Sequence, residues 1–151
     1  MLKGIDQRLS ADIIHALMRM GHGDDLVICD VNHPAASIAV KTTYGRVIDM
    51  VGCDIPTGLA ALLTLMPLDT FVAAPVTRMQ VIGDPEAQMP IFDRVQAVID
   101  RAEGHPVQMQ AVERFAFYAA AERAFCIIRT SDSGPYGCFI LKKGVVDLPP
   151  L

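Results

Sequence analysis

The sequence predicts an α/β domain of three layers, with helices on both faces of a mixed, largely parallel sheet. Stretches with apolar residues at helical spacing alternate with short apolar or β-branched runs such as Leu26–Cys29 and Phe139–Leu141. Glycine, proline or Asx residues punctuate the joints, and most connections are long enough for the crossovers that parallel strands require. At 151 residues the chain matches one domain, 1–151, which buries roughly two thirds of the surface its unfolded form exposes.

Ser10 is an N-cap for a helix carrying Ile13, Ile14, Leu17 and Met18, with Gly21 as its left-handed stop. Leu26–Cys29 reads as a buried strand ending at Asp30. Pro34 then breaks the ladder, and Ala35 to Val40 reads as a second extended piece. Tyr44-Gly45-Arg46 turns into a strand over Val47 to Val51. Asp54 or Thr57 caps a nearly all-apolar helix through Leu59, Leu62, Leu63 and Met66, which Pro67 stops.

Phe71 to Val81 alternates imperfectly around Pro75 and so suits an edge or bulged strand, closed by the turn Gly83-Asp84-Pro85. Pro90 opens an amphipathic helix with Ile91, Val95, Val98 and Ile99 inward and Asp93, Arg94, Asp100 and Arg101 in water, ended by Gly104. A strand over Val107 to Val112, a helix over Glu113 to Arg123 and strands at Phe125–Ile128 and Phe139–Leu141 complete the chain.

Composition narrows the function. Hydrophobic residues make up 52% and charged residues 20%, a poorly charged surface for a free monomer, so the excess apolar area is expected to meet other copies in a homo-oligomer. A net charge of −4 with no basic cluster beyond Lys142-Lys143 argues against nucleic acid. Apolar runs are far below the roughly 20 residues that span a bilayer, and the N-terminus lacks a secretory pattern, so no membrane partner and a cytoplasmic location are expected.

Cys29, Cys53, Cys126 and Cys138 are scattered, with no Cys-x-x-Cys pair and no histidine at zinc spacing, so free thiols and no metal are expected. Glycine-rich dinucleotide, Walker, Gly-x-Ser-x-Gly and His-Glu-x-x-His motifs are all missing. Chemistry by side chains alone, without a cofactor, is the expectation.

Two constellations can carry such chemistry. Gly21-His22-Gly23 sets an imidazole in a turn freed of neighbouring Cβ atoms, and Asp30 places a carboxylate at the end of the strand that follows. A straight strand holds these two about 15 Å apart. Either the turn doubles back or different subunits complete one site. Arg114 and Tyr118 lie one helical turn apart and share a face. Each feature also has a plain reading, as a turn histidine or a solvated helix edge.

Taken in order, Met20-Gly-His-Gly-Asp24, Asp30-x-Asn32-x-Pro34-Ala35, Arg114-Phe-Ala-Phe-Tyr118 and Tyr136-Gly137 ahead of Ile140-Leu-Lys-Lys-Gly-Val145 resemble the fucose branch of the fucose mutarotase and ribose pyranase family. The resemblance covers about Leu2 to Val145. It implies a cytoplasmic, cofactor-independent isomerase that interconverts the α and β anomers of L-fucose or a closely related sugar, in a ring-shaped homo-oligomer, typically a decamer, with sites near subunit contacts.

Carried over, His22 matches the general acid/base and Tyr136 is its candidate partner in proton transfer. Asp30, Arg114 and the Tyr136-Gly137-Cys138 stretch match sugar-binding positions, and Tyr118, which falls where the pyranase branch is similar to a lysine-bearing position, is a further substrate-binding candidate. Two departures bear on the sugar: Cys138 stands where many members carry asparagine, and His33 where the fucose branch often has a large apolar residue. Competing expectations are a ribose pyranase, changing ring size by the same opening step, a non-catalytic sugar-binding module, and a purely structural ring.

Histidine titrates near pH 6.5 when unperturbed, so both its forms exist near neutrality and it can serve a proton at either oxygen of a hemiacetal. Asp30 is expected to accept from sugar hydroxyls and to favour the imidazolium of His22, while Arg114 donates to an oxygen that becomes partly negative. His15 and His105 read as structural and turn residues.

Overall fold

Leu26, Ile28, Cys126, Ile128, Phe139 and Leu141 pack into one hydrophobic core, while Val27, Cys29, Ile127, Cys138 and Ile140 pack into another. Alternate residues of three neighbouring strands thus feed two cores, and those strands read as continuous apolar runs because a sheet covered on both faces needs no polar side. The computed structural model describes residues 2–147; Met1 and residues 148–151 of the expected domain lie outside the described residues.

The elements are α1 (Ala11–Arg19), β1 (Asp25–Cys29), α2 (Ala35–Ala39), β2 (Val47–Met50), α3 (Ile55–Leu62), β3 (Val76–Met79), α4 (Pro90–Glu103), β4 (Met109–Val112), α5 (Arg114–Ala121), β5 (Cys126–Thr130) and β6 (Cys138–Lys142). They form a six-stranded sheet in the order β2-β5-β1-β6-β3-β4. The ladders β1/β5, β2/β5 and β3/β4 are parallel, whereas β6 runs antiparallel to both of its neighbours. Helices α1, α3 and α4 cover one face and α2 and α5 the other, giving the three layers expected.

Local signals place most ends correctly. Ser10 accepts from the Ile13 N–H and Asp54, rather than Thr57, accepts from the Thr57 N–H. Pro90 opens α4 and Gly104, at φ 75°, closes it.

Four expectations are corrected. Ala35 to Val40 is helical, not extended: Ala35, Ile38 and Ala39, at helical spacing, bury against the sheet, and Pro34 serves as the residue before the first turn. β3 is an interior strand, not an edge, because Pro75 precedes it and spends only its carbonyl, which accepts from the Lys142 N–H. Met18 is exposed rather than packed. The left-handed residue after α1 is Gly23 (φ 85°) rather than Gly21, since Met20 leaves α1 in an extended conformation.

The last carbonyls of α1 are answered from outside the helix. Lys143 Nζ donates to Leu17 O at 2.8 Å and Met20 O at 2.6 Å, a cation at the negative end of the helix dipole. This pins the glycine turn to the end of β6.

Candidate functional site

β1 and β6 run side by side, with Asp25 opposite Lys142 and Cys29 opposite Cys138, so one end of the pair carries His22 and the other Asp30. At the His22 end the turn is anchored twice: Gly21 N–H donates to Asp24 Oδ2 at 2.7 Å, and Gly23 N–H donates to Lys143 O at 2.9 Å. The second bond continues the β1/β6 alignment. The turn therefore does not fold back over the strand.

His22 Nε2 meets Asp69 Oδ1 at 3.1 Å, and its side chain is 46% exposed. Asp69 Oδ1 also accepts the Phe71 N–H at 2.9 Å, and the Asp69 N–H is bonded to Lys142 O. The Phe71 N–H, followed by His22, holds the Asp69 carboxyl below its usual range, so it is a carboxylate near neutrality. The exposed Phe71 ring stands edge-on to the imidazole at 5.3 Å. The result is an open imidazole with one nitrogen oriented by a fixed anion.

Asp69 takes the role of carboxylate partner to His22 that was expected of Asp30. It went unnoticed because 47 residues separate the two and nothing local marks Asp69 as a partner.

Asp30 is 2% exposed at the other end of β1. Its Oδ1 accepts the N–H groups of Asn32 (2.8 Å) and His33 (3.0 Å); its Oδ2 accepts the Gly137 N–H (2.9 Å) and faces the Cys138 thiol at 3.9 Å. Burial pushes its pKa up, opposed by these three backbone donors. With donors on both oxygens, this carboxylate ties the loop after β1 to the Tyr136–Cys138 stretch rather than standing free for a ligand.

The stretch itself is tightly constrained. Tyr136 adopts φ 60°, and the Asp30 N–H donates to Gly137 O at 2.7 Å. A Cβ on Gly137 would overlap the terminal methyl of Ile55 and lie 3.1 Å from Asp30 Cβ, so a larger residue requires Ile55 to move and Asp30 to give. Tyr136 Oη accepts the Ile82 N–H at 3.1 Å, reaching across to the loop after β3.

Ile82 shares a hollow of about 240 Å³ with Gln80, Gly83, Pro85, Glu113 and Arg114. Arg114 opens α5, its guanidinium 4.6 Å from the Phe115 ring centre and its Nε buried without a partner. Tyr118, one turn on, is held above the usual phenol range chiefly by burial, then by Cys138, and stands edge-on to the buried His33 imidazole at 5.5 Å. Of the expected sugar-binding residues, Asp30, Tyr118, Gly137 and Cys138 thus gather around His33, and Arg114 joins Tyr136 through Ile82. His22 lies at the far end of β1, so the single chain does not bring it to the others. In the sequence His33 stands out only as a departure from the resemblance; its place in this group comes from contacts with Cys138 and Tyr118, 105 and 85 residues further on.

The RbsD / FucU transport protein family model matches residues 3–146. The chain is 42% identical over 153 aligned residues to the fucose mutarotase of Mus musculus, covering 99% of this chain and 97% of the relative. It superposes on the crystal structure of the Streptococcus pneumoniae fucose mutarotase in complex with L-fucose with a TM-score of 0.86, at 34% identity, covering 97% of this chain and all of the other. The Bacillus subtilis RbsD complexed with D-ribose, at 19% identity, TM-score 0.74 and coverage of 97% of this chain and all of that one, shares the fold alone. A full-length match of this kind, reinforced by solved structures of the same architecture, places the chain in the RbsD / FucU transport protein family.

Proposed function

We propose that this protein interconverts the α and β anomers of L-fucose, or a closely related reducing sugar, by proton transfer alone. The carrying observation is the His22–Asp69 contact: a half-exposed imidazole oriented at 3.1 Å by a buried carboxylate, in a chain 42% identical over its length to a fucose mutarotase. A module that only binds sugar has no use for a proton carrier held this way. The match to the D-ribose complex is the more distant, which favours anomer exchange over the pyranase reaction.

Opening the ring removes a proton from the anomeric hydroxyl, breaks the bond from the anomeric carbon to the ring oxygen, and delivers a proton to that oxygen. The aldehyde rotates and the steps reverse. His22 serves one of the two oxygens, and Asp69 keeps the other ring nitrogen occupied and supports the imidazolium. Tyr136 or Tyr118 serves the second oxygen, and Arg114 donates to the oxygen that gains charge. Asp30 contributes by holding Gly137 and Cys138 at the sugar.

The separation of His22 from this group is met by a site shared between copies. Phe71, beside His22, is 76% exposed, and Ile82 and Phe115, beside Arg114, are 60% and 64% exposed, so both half-sites are flanked by uncovered apolar surface. A homo-oligomer, in the proposed form a decameric ring, covers these faces and brings the halves together. The four buried, unpaired cysteines accord with a reducing, cytoplasmic setting, and no described helix is long and apolar enough to cross a membrane.

Exchange NMR on a panel of reducing sugars tests the reading. Faster exchange between the anomers of L-fucose is expected on adding enzyme. Acceleration for ribose alone transfers the assignment to a pyranase, and binding without acceleration to a module.

A further inference from the structure

His33 is 5% exposed, and its Nε2 is buried without a hydrogen-bond partner. Leaving such a nitrogen unpaired costs about 1–3 kcal/mol, so its presence among candidate sugar residues calls for a ligand. The neighbours determine what that ligand must offer. Cys138 Sγ lies 3.6 Å from His33 Nδ1 and 3.9 Å from Asp30 Oδ2, and a thiol has one hydrogen to give. Asp30 already receives three backbone N–H groups, which marks it as an ionised acceptor, and a carboxylate takes a hydrogen in preference to a neutral imidazole.

With the thiol hydrogen on Asp30, the sulfur lone pairs face Nδ1, so Nδ1 carries the ring proton. Burial holds the imidazole pKa at about 4, which keeps the second nitrogen unprotonated near neutrality. Nε2 is then an acceptor awaiting a donor. The rings of Phe117 and Tyr118 stand edge-on to the imidazole at 5.9 and 5.5 Å and supply none. Tyr118 is the less buried of the two.

We propose that His33 is a specificity residue of the sugar site: oriented by Cys138, its Nε2 accepts a hydrogen bond from one hydroxyl of the bound monosaccharide. This rests on the mutarotase reading above. The chain of contacts Asp30, Cys138, His33 would transmit the geometry of the β1/β6 end to a single sugar hydroxyl.

The test compares wild type with His33→Phe, which keeps an aromatic ring in the space, on L-fucose and its monodeoxy analogues, following affinity and anomer exchange by NMR. His33→Phe is expected to lose about threefold to tenfold in affinity for L-fucose and for every analogue except the one lacking the contacted hydroxyl, which both proteins bind alike. Equal losses on all analogues, or no loss, overturn the proposal while leaving the mutarotase reading intact; no exchange of any sugar by wild type overturns both. Nitrogen-15 spectra of the wild-type imidazole give an independent reading: Nδ1 protonated and Nε2 bare, with the Nε2 signal moving when L-fucose is added. A protonated Nε2 in the free protein, or a signal that L-fucose leaves in place, overturns the proposal even where His33→Phe fails to fold.

Discussion

At the start of β1 an imidazole is 46% exposed and rests one nitrogen on Asp69, whereas at its end the carboxylate of Asp30 is 2% exposed and takes three backbone N–H groups. One ladder supports both ends, so the difference comes from what each end is left to do. In the proposed mechanism the His22 end keeps a proton carrier in reach of a substrate, beside the exposed ring of Phe71. The Asp30 end spends its polar groups on shaping a loop. Proton chemistry needs access, and recognition needs rigidity; the proposed function assigns the two to ends that lie a strand length apart, about 15 Å.

The sharpest way to break the comparison is at the open end. His22→Ala is expected to leave the fold intact and slow anomer exchange about 10²- to 10⁴-fold in the NMR assay; unchanged exchange would remove His22 from the mechanism. If the two ends meet only across protomers, co-refolding His22→Ala with Arg114→Ala restores intact sites in about one junction of four. Mixtures no more active than either variant point to a site within one chain.

The closed end is expected to respond in stability instead. Asp30→Ala strands several buried N–H groups and should cost about 3 kcal/mol in urea unfolding. Its exchange rate should fall too, because Gly137 and Cys138 lose their anchor. A small stability change would mean that water replaces the carboxylate.

Next comes acid. Burial lowers the His33 pKa from 6.5 to about 4, so between those values the unfolded chain binds more protons than the folded one. Stability is then fully present above pH 6.5 and is lost as pH falls toward 4, by up to about 3 kcal/mol. Asp30, whose pKa is raised, acts in the opposite sense at the acid edge. The difference between wild type and His33→Phe at each pH isolates the imidazole, and parallel curves for the two would contradict its burial as a neutral ring.

The smallest effect is expected at the hinge between the two behaviours. Asp69→Asn retains an acceptor for the Phe71 N–H but withdraws the charge beside His22, and should lower kcat about tenfold with little change in KM. A shift confined to KM would make Asp69 a binding residue.

Much of the fold was legible because its signals are local. Ser10, Asp54, Pro90 and Gly104 act on their own turns, and the apolar runs at β1, β5 and β6 state how deeply those strands are buried. Ala35–Ala39 misled because proline followed by small and β-branched residues fits a strand as well as a helix, and only burial of Ile38 against the sheet decides. Pro75 misled in the same way, since its carbonyl rather than its missing N–H faces the partner strand.

The site divides likewise. His22, Arg114, Tyr118 and the Tyr136–Cys138 stretch are visible as chemistry-bearing types in suggestive settings, whereas the crowding at Gly137 by Ile55 and Asp30 shows only in the fold. Asp69 beside His22 and Cys138 beside His33 are contacts between segments 47 and 105 residues apart. The sequence by itself determined most of the elements, the two-faced apolar strands and the candidate reactive groups, because periodicity, capping and side-chain chemistry act over a few residues. Which carboxylate orients the imidazole, which one is consumed by the backbone, and that the two lie at opposite ends of one strand were decided only when β6 inserted antiparallel between β1 and β3, since that register places distant residues within hydrogen-bond reach.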